Sequence, residues 1–312
     1  MPETADHRHH LLALEGLAGD ELISLLDQTR RFQAAADTAP PTSLLAGRAV
    51  ANLFFEDSTR TRCSFTIAAK RLGALTIDLT GAGSSLSKGE SFLDTARTIE
   101  AMGIDVMIIR SRACGTPAMI AHAVRCAVIN AGDGRHEHPT QGLLDIYTLR
   151  ECWGDFVGRT IAIVGDIANS RVARSNIHGL TTLGTEVLLV GPPTLVPRSL
   201  ERISVGPGRV SVSHDLDAVL PRVDAIMMLR VQLERIVGGA IADDYRMLYR
   251  LTAQRAERLR PDVPVLHPGP MNRGVEIDSE VADDPQRSVI LRQVANGVAL
   301  RMAVLARSVG AS

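Results

Sequence analysis

The sequence predicts an α/β protein with two doubly wound domains, each built on a parallel sheet, with helices joining the domains. Short apolar segments rich in Val and Ile, typical of buried strands, alternate with amphipathic helical segments. The alternation begins a second time near residue 160. A chain of 312 residues also exceeds a single typical core and suits two domains of about 150 residues.

The first half of the chain supplies four predicted strands, at Ala49–Phe55, Leu75–Leu79, Val106–Ile109 and Ala127–Asn130. Helices are predicted over Leu11–Ala36, from about Ser58 to Leu72, over Ser91–Met102, from Pro117, and over Pro139–Glu151. Gly73 and Gly103 follow two of these helices, at positions where glycine commonly ends a helix.

The second half repeats the pattern, with predicted strands at Thr160–Val164, Glu186–Val190, Val210–Ser213, Ala225–Leu229 and Val263–Leu266. Helices are predicted over Ser170–Leu183 and from about Ser288 to Val309. The boundary falls near Glu151–Gly158, and the helix before it joins the domains. We therefore expect domains at 1–150 and 151–312, with the final helix packing back on the first domain.

The composition argues against several classes of protein. A net charge of −1 disfavours a broad nucleic-acid or membrane footprint, and no apolar run approaches the ~20 residues that cross a bilayer. The polar first ten residues lack the apolar core of a secretion signal. Four cysteines without C-x-x-C spacing indicate reduced, structural thiols. These features predict a cytoplasmic protein that binds neither nucleic acid nor membrane.

The stretch Phe54–Phe65 joins the first predicted strand to the next helix and carries a group of anion-binding side chains. Ser58, Thr59 and Thr61 fall in the first helical turn, beside backbone N–H groups that have no intrahelical partner. Arg60 adds a charge-assisted donor. A capped helix with solvated arginines is the simpler interpretation, but capping alone does not need three hydroxyls and an arginine. The stretch therefore predicts a phosphate cradle.

Two later segments carry further candidates. Arg110 ends a buried strand, so its guanidinium emerges at the carboxyl edge of the sheet, where ligands of such sheets bind. His136 and His138 resemble a metal pair, but no third ligand with recognisable spacing follows. Pro139 at the first helical position instead leaves His138 just outside the helix, aimed at a ligand, with Gln141 one turn in. We therefore predict no metal site.

The Gly/Ser-rich loop at residues 81–90 resembles a Walker A loop only superficially, because Lys88 precedes a glycine instead of following one. Taken alone, a mobile surface loop is as good an interpretation. Lys88 nevertheless carries a compact positive charge on a flexible side chain, and a charge of this kind in such a loop is suited to a chemical role.

The second half lacks a dinucleotide fingerprint. Its first loop, Gly165–Arg171, misses the second and third glycines of G-x-G-x-x-G, which disfavours NAD. Arg171 supplies a guanidinium fork suited to a carboxylate, and Arg230 with Gln232, just past another strand, adds a second. His267–Pro270 is a rigid turn whose carbonyls can accept from an NH₂ group, although a purely structural turn is favoured when it is taken alone.

Together these motifs resemble those of the aspartate/ornithine carbamoyltransferase family. Ser58–Arg62 is similar to the family's phosphate-binding signature, and His138–Gln141 and His267–Pro270 resemble two further motifs in the same order. Arg230–Arg235 resembles the aspartate branch, and the Cys-containing motif and Ser-Met-Gly segment of the ornithine branch are missing. The resemblance covers nearly the whole chain. It implies an active site in the cleft between a carbamoyl-phosphate-binding first domain and an aspartate-binding second domain.

The resemblance also implies a role for each candidate. Carbamoyl phosphate is expected to contact Ser58, Thr59, Arg60, Thr61, Arg110, His138, Gln141, Gly269 and Pro270. Aspartate is expected to contact Lys88, Arg171, Arg230 and Gln232. The implied catalytic residues are Arg60, Thr61, Lys88, Arg110 and His138. Ser84 and Lys88 are expected to come from a neighbouring subunit of a homotrimer.

The implied reaction transfers the carbamoyl group of carbamoyl phosphate to the amine of L-aspartate, giving N-carbamoyl-L-aspartate and phosphate, the committed step of de novo pyrimidine synthesis. It needs no metal, cofactor or covalent intermediate. Two guanidinium forks favour aspartate over cationic ornithine. The alternatives are a carbamoyltransferase with another amine acceptor such as ornithine, and a non-catalytic relative that binds phosphate ligands. Regulatory or dihydroorotase-type partner chains are compatible with the resemblance.

Overall fold

The computed structural model describes residues 9–36, 43–80, 90–203, 206–230 and 239–311 of the protein. The chain divides into two compact units. Unit 1 takes its residues from Met1–Leu14, Asp20–Leu143 and Ala295–Ser312, and unit 2 from Glu15–Gly19 and Leu144–Val294. Each unit contains a parallel sheet, so the predicted α/β class with two parallel sheets is confirmed.

Unit 1 is built on four strands: β1 Ala49–Phe54, β2 Leu75–Thr80, β3 Val106–Ser111 and β4 Ala127–Asp133. They pair in parallel in the order β2-β1-β3-β4. Its helices are α1 Gly19–Ala36, α2 Thr59–Arg71, α3 Phe92–Glu100 and α4 Thr116–Ala121. Helices α5 Pro139–Trp153 and α11 Ile290–Ser308 contribute residues to both units.

Unit 2 is built on five strands: β5 Thr160–Val164, β6 Glu186–Val190, β7 Val210–Ser213, β8 Ala225–Met228 and β9 Val265–Leu266. They pair in parallel in the order β7-β6-β5-β8-β9. Its helices are α6 Arg171–Thr182, α7 Leu216–Val219, α8 Gly239–Tyr249, α9 Ala253–Ala256 and α10 Ser279–Ala282, with 3₁₀ helices at Arg198–Ile203 and Leu220–Arg222.

The central strands are buried along almost their full length, which explains their continuous apolar sequences. Every residue of β4 is buried, as are Val106–Ile109 of β3 and Ile161–Val164 of β5. Each such apolar side chain contributes about 1.5–3 kcal/mol relative to exposure. Strands of this kind form where both faces of a parallel sheet are covered.

The strand order reverses beside the first strand of each sheet. In unit 1 the chain passes from β1 to β2 on one side and then to β3 on the other, and in unit 2 β5 likewise lies between β6 and β8. Open parallel sheets bind ligands beyond the carboxyl ends of the strands at such reversals. The relevant segments are therefore those that follow β1 and β3 in unit 1, and β5 and β8 in unit 2.

The prediction of one continuous helix over Leu11–Ala36 is wrong for its first turns, because α1 begins only at Gly19. The Leu11 N–H donates to the Val128 carbonyl (2.9 Å), and the Leu11 carbonyl accepts from the Asn130 N–H (2.8 Å). Leu11 thus pairs with the edge of β4, whose N–H and C=O groups need partners. The helical spacing of the leucines gave no indication of this pairing, because β4 is distant in the sequence.

Several short helices of the second half were also not predicted from the sequence. They are the two 3₁₀ helices and α7, α8, α9 and α10. Most have only three to six residues, too few for a helical apolar period to be read.

All four cysteines are free thiols in the structure. Cys126 is buried, whereas Cys63, Cys114 and Cys152 are exposed, so the expectation of structural cysteines holds only for Cys126. Among the residues that the structure describes, no helix has both the length and the apolar character needed to cross a membrane.

Arg301 anchors α11 to α2 within unit 1. The residue is only 4% exposed. Its Nη1 donates to Ser64 Oγ (2.9 Å) and to the Gly297 carbonyl (3.0 Å), and its guanidinium lies 5.0 Å from the centroid of the Phe65 ring. Buried charge-assisted hydrogen bonds and a cation–π contact should therefore stabilise this unit.

We expect Arg301→Ala to lower the free energy of unfolding by about 2–4 kcal/mol, because it removes these contacts and leaves a cavity. Urea unfolding followed by circular dichroism measures the change. Arg292→Ala is the matched control, because Arg292 is exposed on the same helix and its loss should cost about 0.5 kcal/mol or less. Equal stability of the two variants would contradict the anchoring role.

Candidate active site

Helix α2 begins beyond β1 with an N-terminus that is open to a ligand. Ser58 occupies the N-cap position with an extended backbone (φ −160°, ψ 93°), but its side chain makes no capping hydrogen bond within the described part of the chain. The first turn contains no acidic residue. The first N–H groups therefore keep their partial positive charge for an anion. Thr59, Arg60 and Thr61 lie on the same turn, and the hydroxyl-bearing Thr61 is buried.

Two other helices begin with serines that do cap them. Ser91 Oγ accepts from the Asp94 N–H (3.1 Å) at α3, and Ser170 Oγ accepts from the Ala173 N–H (3.1 Å) at α6. Such a cap stabilises a helix by ~1 kcal/mol. The hydroxyl of Ser58 does not serve its own helix in this way, which favours an anion site over an ordinary cap.

Arg110 lies near the end of β3, level with the last residue of β1. Phe54 and Arg110 are register partners, and the Phe55 N–H donates to the Arg110 carbonyl (2.9 Å). The guanidinium donates from Nη2 to Glu56 Oε1 (3.1 Å) and from Nη1 to the Ala131 carbonyl (3.1 Å). These contacts hold the guanidinium between the ends of β1 and β4. Its place at the carboxyl edge agrees with the sequence, and its contact with a ligand stays a prediction.

The loop between β4 and α5 is shaped by the buried carboxylate of Asp133. This carboxylate accepts from the N–H groups of Gly115 (2.7 Å) and Glu137 (3.2 Å) and from Asn130 Nδ2 (2.8 Å). Several donors are needed to offset the desolvation of a buried carboxylate. They also fix the path of the loop, which ends at the buried His138.

His138 and Gln141 sit at the start of α5, where Pro139 is the first helical residue, as the sequence predicts. The Gln141 N–H donates to the His138 carbonyl (2.9 Å), so His138 is the last residue before the helix. His136, the other member of the alternative metal pair, directs Nδ1 to both carboxylate oxygens of Asp133 (3.1 Å each). The two imidazoles thus have different environments, with His138 buried and His136 partly exposed.

In unit 2 the loop between β5 and α6 is held by Asp166 and approaches the end of β8. The Asp166 carboxylate accepts from the Asn169 N–H (3.3 Å) and from Asn169 Nδ2 (2.8 and 3.0 Å). Gly165 has a φ of +140°, and a Cβ on it would lie 3.0 Å from Leu229 Cβ and 3.1 Å from the Leu229 carbonyl oxygen. A glycine is therefore required for this close approach.

The two predicted carboxylate forks follow neighbouring strands. Arg171 is the first residue of α6, beyond β5, and Arg230 lies two residues beyond β8. The strands pair in parallel with Val164 opposite Met228, so the segments that follow them start side by side. Both arginines are partly buried. Gln232, the third residue predicted to bind aspartate, lies outside the described residues.

The turn His267–Pro270 follows β9 and is attached to a buried polar chain. The His267 N–H donates to Gln293 Oε1 (2.9 Å), and Gln293 Nε2 donates to Asp145 Oδ1 (2.8 Å). Asn176 Nδ2 donates to Asp145 Oδ2 (2.8 Å). All four residues are at most 2% exposed. Side chains from α5, α6 and α11 thus fix the start of this turn.

Tyr245 of α8 is buried in unit 2. Burial raises the pKa of Tyr245 well above its ordinary value, and the negative charges of Glu276 and Asp166 raise it further. The phenol therefore stays neutral across the physiological pH range and cannot act as a general base.

The predicted residues thus gather at the carboxyl edges of the two sheets. Unit 1 carries Ser58, Thr59, Arg60, Thr61, Arg110, His138 and Gln141. Unit 2 carries Arg171, Arg230, Gly269 and Pro270. Ser84 and Lys88, like Gln232, lie outside the described residues. Sequence reasoning did not identify the acidic residues that hold the site segments in place. These are Glu56, Asp133, Asp145 and Glu276. The one available signal was that an acidic residue is unexpected beside a motif that binds anions.

We expect Gly165→Ala to destabilise unit 2 by about 1–3 kcal/mol, because the new Cβ strains the backbone and collides with Leu229. Thermal unfolding measures the loss. Gly158→Ala is the matched control: Gly158 has a φ of +74° and no heavy atom within 4 Å of an added Cβ. Equal losses in the two variants would mean that backbone strain, and not the contact with Leu229, sets the cost.

Comparisons with known proteins agree with this geometry. Residues 9–151 match the family model "Aspartate/ornithine carbamoyltransferase, carbamoyl-P binding domain", and residues 157–307 match the model of the Asp/Orn binding domain. The aspartate carbamoyltransferase catalytic subunit of Myxococcus xanthus is 54% identical over 95% of this chain and 98% of its own length. That of Acidothermus cellulolyticus is 54% identical over 95% of this chain and 91% of its own.

Solved structures with the same fold include both branches of the family. Aspartate transcarbamoylase from Trypanosoma cruzi, in complex with carbamoyl aspartate and phosphate, has a TM-score of 0.86 at 29% identity and covers 100% of this chain and 98% of its own. Ornithine carbamoyltransferase from Pyrococcus furiosus has a TM-score of 0.87 at 28% identity and covers 97% of each chain. With both halves of the sequence matched by its models, the chain belongs to the aspartate/ornithine carbamoyltransferase family.

Proposed function

We propose that the protein transfers the carbamoyl group of carbamoyl phosphate to the amine of L-aspartate, releasing N-carbamoyl-L-aspartate and phosphate. The observation that carries the proposal is the open N-terminus of α2, whose hydroxyls and Arg60 follow β1 beside Arg110 of β3. Relatives about half identical in sequence are named aspartate carbamoyltransferase catalytic subunits, which supports the same reaction here.

Carbamoyl phosphate binds to unit 1 in this proposal. Its phosphate accepts from the N–H groups at the start of α2, from the hydroxyls of Ser58, Thr59 and Thr61, and from Arg60. Arg110, oriented by Glu56, bridges the phosphate and the carbamoyl oxygen. His138 donates to that oxygen, while Gln141 and the carbonyls of Gly269 and Pro270 hold the carbamoyl NH₂ group.

L-Aspartate binds through its two carboxylates to the guanidinium groups of Arg171 and Arg230, with Gln232 and Lys88 as further contacts. A cationic side chain such as that of ornithine would meet repulsion from these groups. The fold itself does not choose the acceptor, because ornithine carbamoyltransferase has an equally similar structure. The choice of aspartate as acceptor is supported by the sequence relatives and by the two arginines.

The chemistry needs positioning and charge stabilisation from the protein. The neutral amine attacks the carbamoyl carbon, and Thr61, Arg110 and His138 stabilise the oxyanion of the tetrahedral intermediate. Removing one such donor typically costs ~2.7–4 kcal/mol. Holding the two reactants in attack geometry contributes ~7–11 kcal/mol, so positioning is the larger effect. The departing phosphate takes the proton of the amine.

The catalytic unit is a homotrimer in which Ser84 and Lys88 of one subunit complete the site of its neighbour. Support comes from the edge of unit 1 that precedes this loop, where Ile67 of α2 and Leu75 and Ile77 of the edge strand β2 are exposed large apolar side chains. Apolar side chains on an edge strand are usually covered by another element or chain.

The test of the reaction is acceptor profiling. Purified protein with carbamoyl phosphate should carbamoylate L-aspartate without added metal, and should leave ornithine and putrescine unreacted. Arg171→Ala and Arg230→Ala should each raise the KM for aspartate at least tenfold, by roughly the ~1.4 kcal/mol or more of a lost charged hydrogen bond. Arg174→Ala, a neighbour on α6, is the control. Comparable turnover of ornithine, or loss of activity with a chelator, would overturn the proposal.

Shared sites predict complementation between two defective chains. Arg60→Ala and Lys88→Ala should each be nearly inactive alone. Trimers that contain both variants should regain one intact site, which is roughly a quarter of the wild-type activity for random reassembly of an equal mixture. Recovery should require subunit exchange, for example by dilute denaturant and refolding. Lys70→Ala, the exposed lysine at the other end of α2, should stay active. Hybrid trimers without recovered activity would refute the sharing of Lys88.

A further inference from the structure

Glu276 is a fully buried carboxylate that the proposed mechanism does not use. Its Oε1 accepts from the Asn272 N–H (2.5 Å) and contacts Nε2 of His267 (3.2 Å), whose side chain is also fully buried. The carboxylate therefore joins the residue that begins the turn His267–Pro270 to a residue just beyond it. A buried carboxylate is costly, so a role in holding this turn is a physical reason for its presence.

The backbone decides which nitrogen of His267 carries the proton. The Gly269 N–H donates to Nδ1 of His267 (2.8 Å), so Nδ1 holds a lone pair and no proton. The proton of the neutral ring is then on Nε2, which donates to Glu276. Loss of Glu276 would leave the Nε2–H without its carboxylate partner, and the ring would lose a contact that holds its orientation.

The same hydrogen bond sets the direction of a peptide group. The Pro268–Gly269 peptide is trans, because the Gly269–Pro270 bond is the one cis peptide found in the described residues. In a trans peptide the N–H and C=O point in opposite directions. Since the Gly269 N–H points at the buried imidazole, the Pro268 carbonyl points away from it.

The start of the turn is fixed independently by Gln293, which accepts from the His267 N–H (2.9 Å). In the described part of the chain, the hydrogen bonds of Gln293 go to the His267 backbone and to Asp145, not to the ring of His267. Glu276 restrains that ring and the chain beyond it, because it accepts from the ring and from Asn272. The orientation of the Pro268–Gly269 peptide, in the middle of the turn, thus depends on the ring that Glu276 holds.

We propose that Glu276 is a positioning residue: by holding the ring of His267, and with it the Pro268–Gly269 peptide, it sets the turn whose Gly269 and Pro270 carbonyls bind the NH₂ group of the carbamoyl substrate. The inference rests on the proposed function, since it deepens the recognition of carbamoyl phosphate. Carbonyl oxygens accept from an NH₂ group and gain nothing from a methyl group. Glu276 is therefore a determinant of the preference for carbamoyl phosphate over acetyl phosphate, which has the same shape and a similar charge.

The experiment compares the binding of carbamoyl phosphate, acetyl phosphate and inorganic phosphate by calorimetry. Glu276→Ala should weaken carbamoyl phosphate roughly tenfold to a hundredfold, as expected for misplaced binding groups, and should leave the other two ligands within about threefold. Glu276→Gln keeps an oxygen that accepts from both donors, so it should retain most of the preference. Glu280→Gln, at an exposed carboxylate four residues away, is the matched control.

Each result has a defined reading. An equal loss for all three ligands means that Glu276 only supports the fold and overturns the inference, as does an unchanged preference in Glu276→Ala. A Glu276→Gln variant as impaired as Glu276→Ala overturns the role of the accepting oxygen. A wild-type protein that binds inorganic phosphate but does not favour carbamoyl phosphate overturns the proposed function together with this inference.

A second measurement on the wild-type protein tests the hydrogen bonds on which the inference rests, even if Glu276→Ala fails to fold. Solid-state ¹⁵N NMR of histidine-labelled protein, with His267→Gln to assign the signal, should show His267 as the neutral tautomer protonated at Nε2. An imidazolium, or a ring protonated at Nδ1, would overturn the inference.

Discussion

The parallel pairing of β1 with β3 brings the start of α2 next to Arg110. Hydrogen bonding sets Phe54 level with Arg110, and the chain turns to opposite sides after these two strands. A helix N-terminus and a guanidinium therefore meet at one edge of the sheet. The candidate phosphate site depends on this register, because a strand displaced by one residue would direct the Arg110 side chain to the other face.

Buried carboxylates organise the segments that carry the site. Asp133 collects donors from the loop before His138, Asp145 joins Gln293 to Asn176, and Glu276 holds the turn after β9. Each would cost several kcal/mol if it were left without donors. Because each has them, the cost of burial is offset, and the loops gain fixed positions that apolar residues would not give them.

The strands and longer helices could be predicted because local signals determine them. Apolar runs mark β1 and β3–β6, and Pro139 marks the start of α5. Prediction failed where a distant partner decided the outcome. Leu11 pairs with β4 although the leucines that follow it have a helical spacing. Glu56, just after β1, contacts Arg110 of the neighbouring strand β3. A local pattern contains no information about such partners.

The sequence alone determined the family motifs, the two-sheet plan and the residues that bear positive charge, because these follow from residue type and spacing along the chain. Tertiary structure alone decided that, within the described residues, the Ser58 side chain does not cap α2, while α3 and α6 are capped by their own serines. It also decided the partners of the His267 ring, whose Nδ1 accepts from an N–H two residues away and whose Nε2 lies 3.2 Å from Glu276 Oε1. The direction of a hydrogen bond is a property of three-dimensional position, and identical side chains can satisfy it or leave it open.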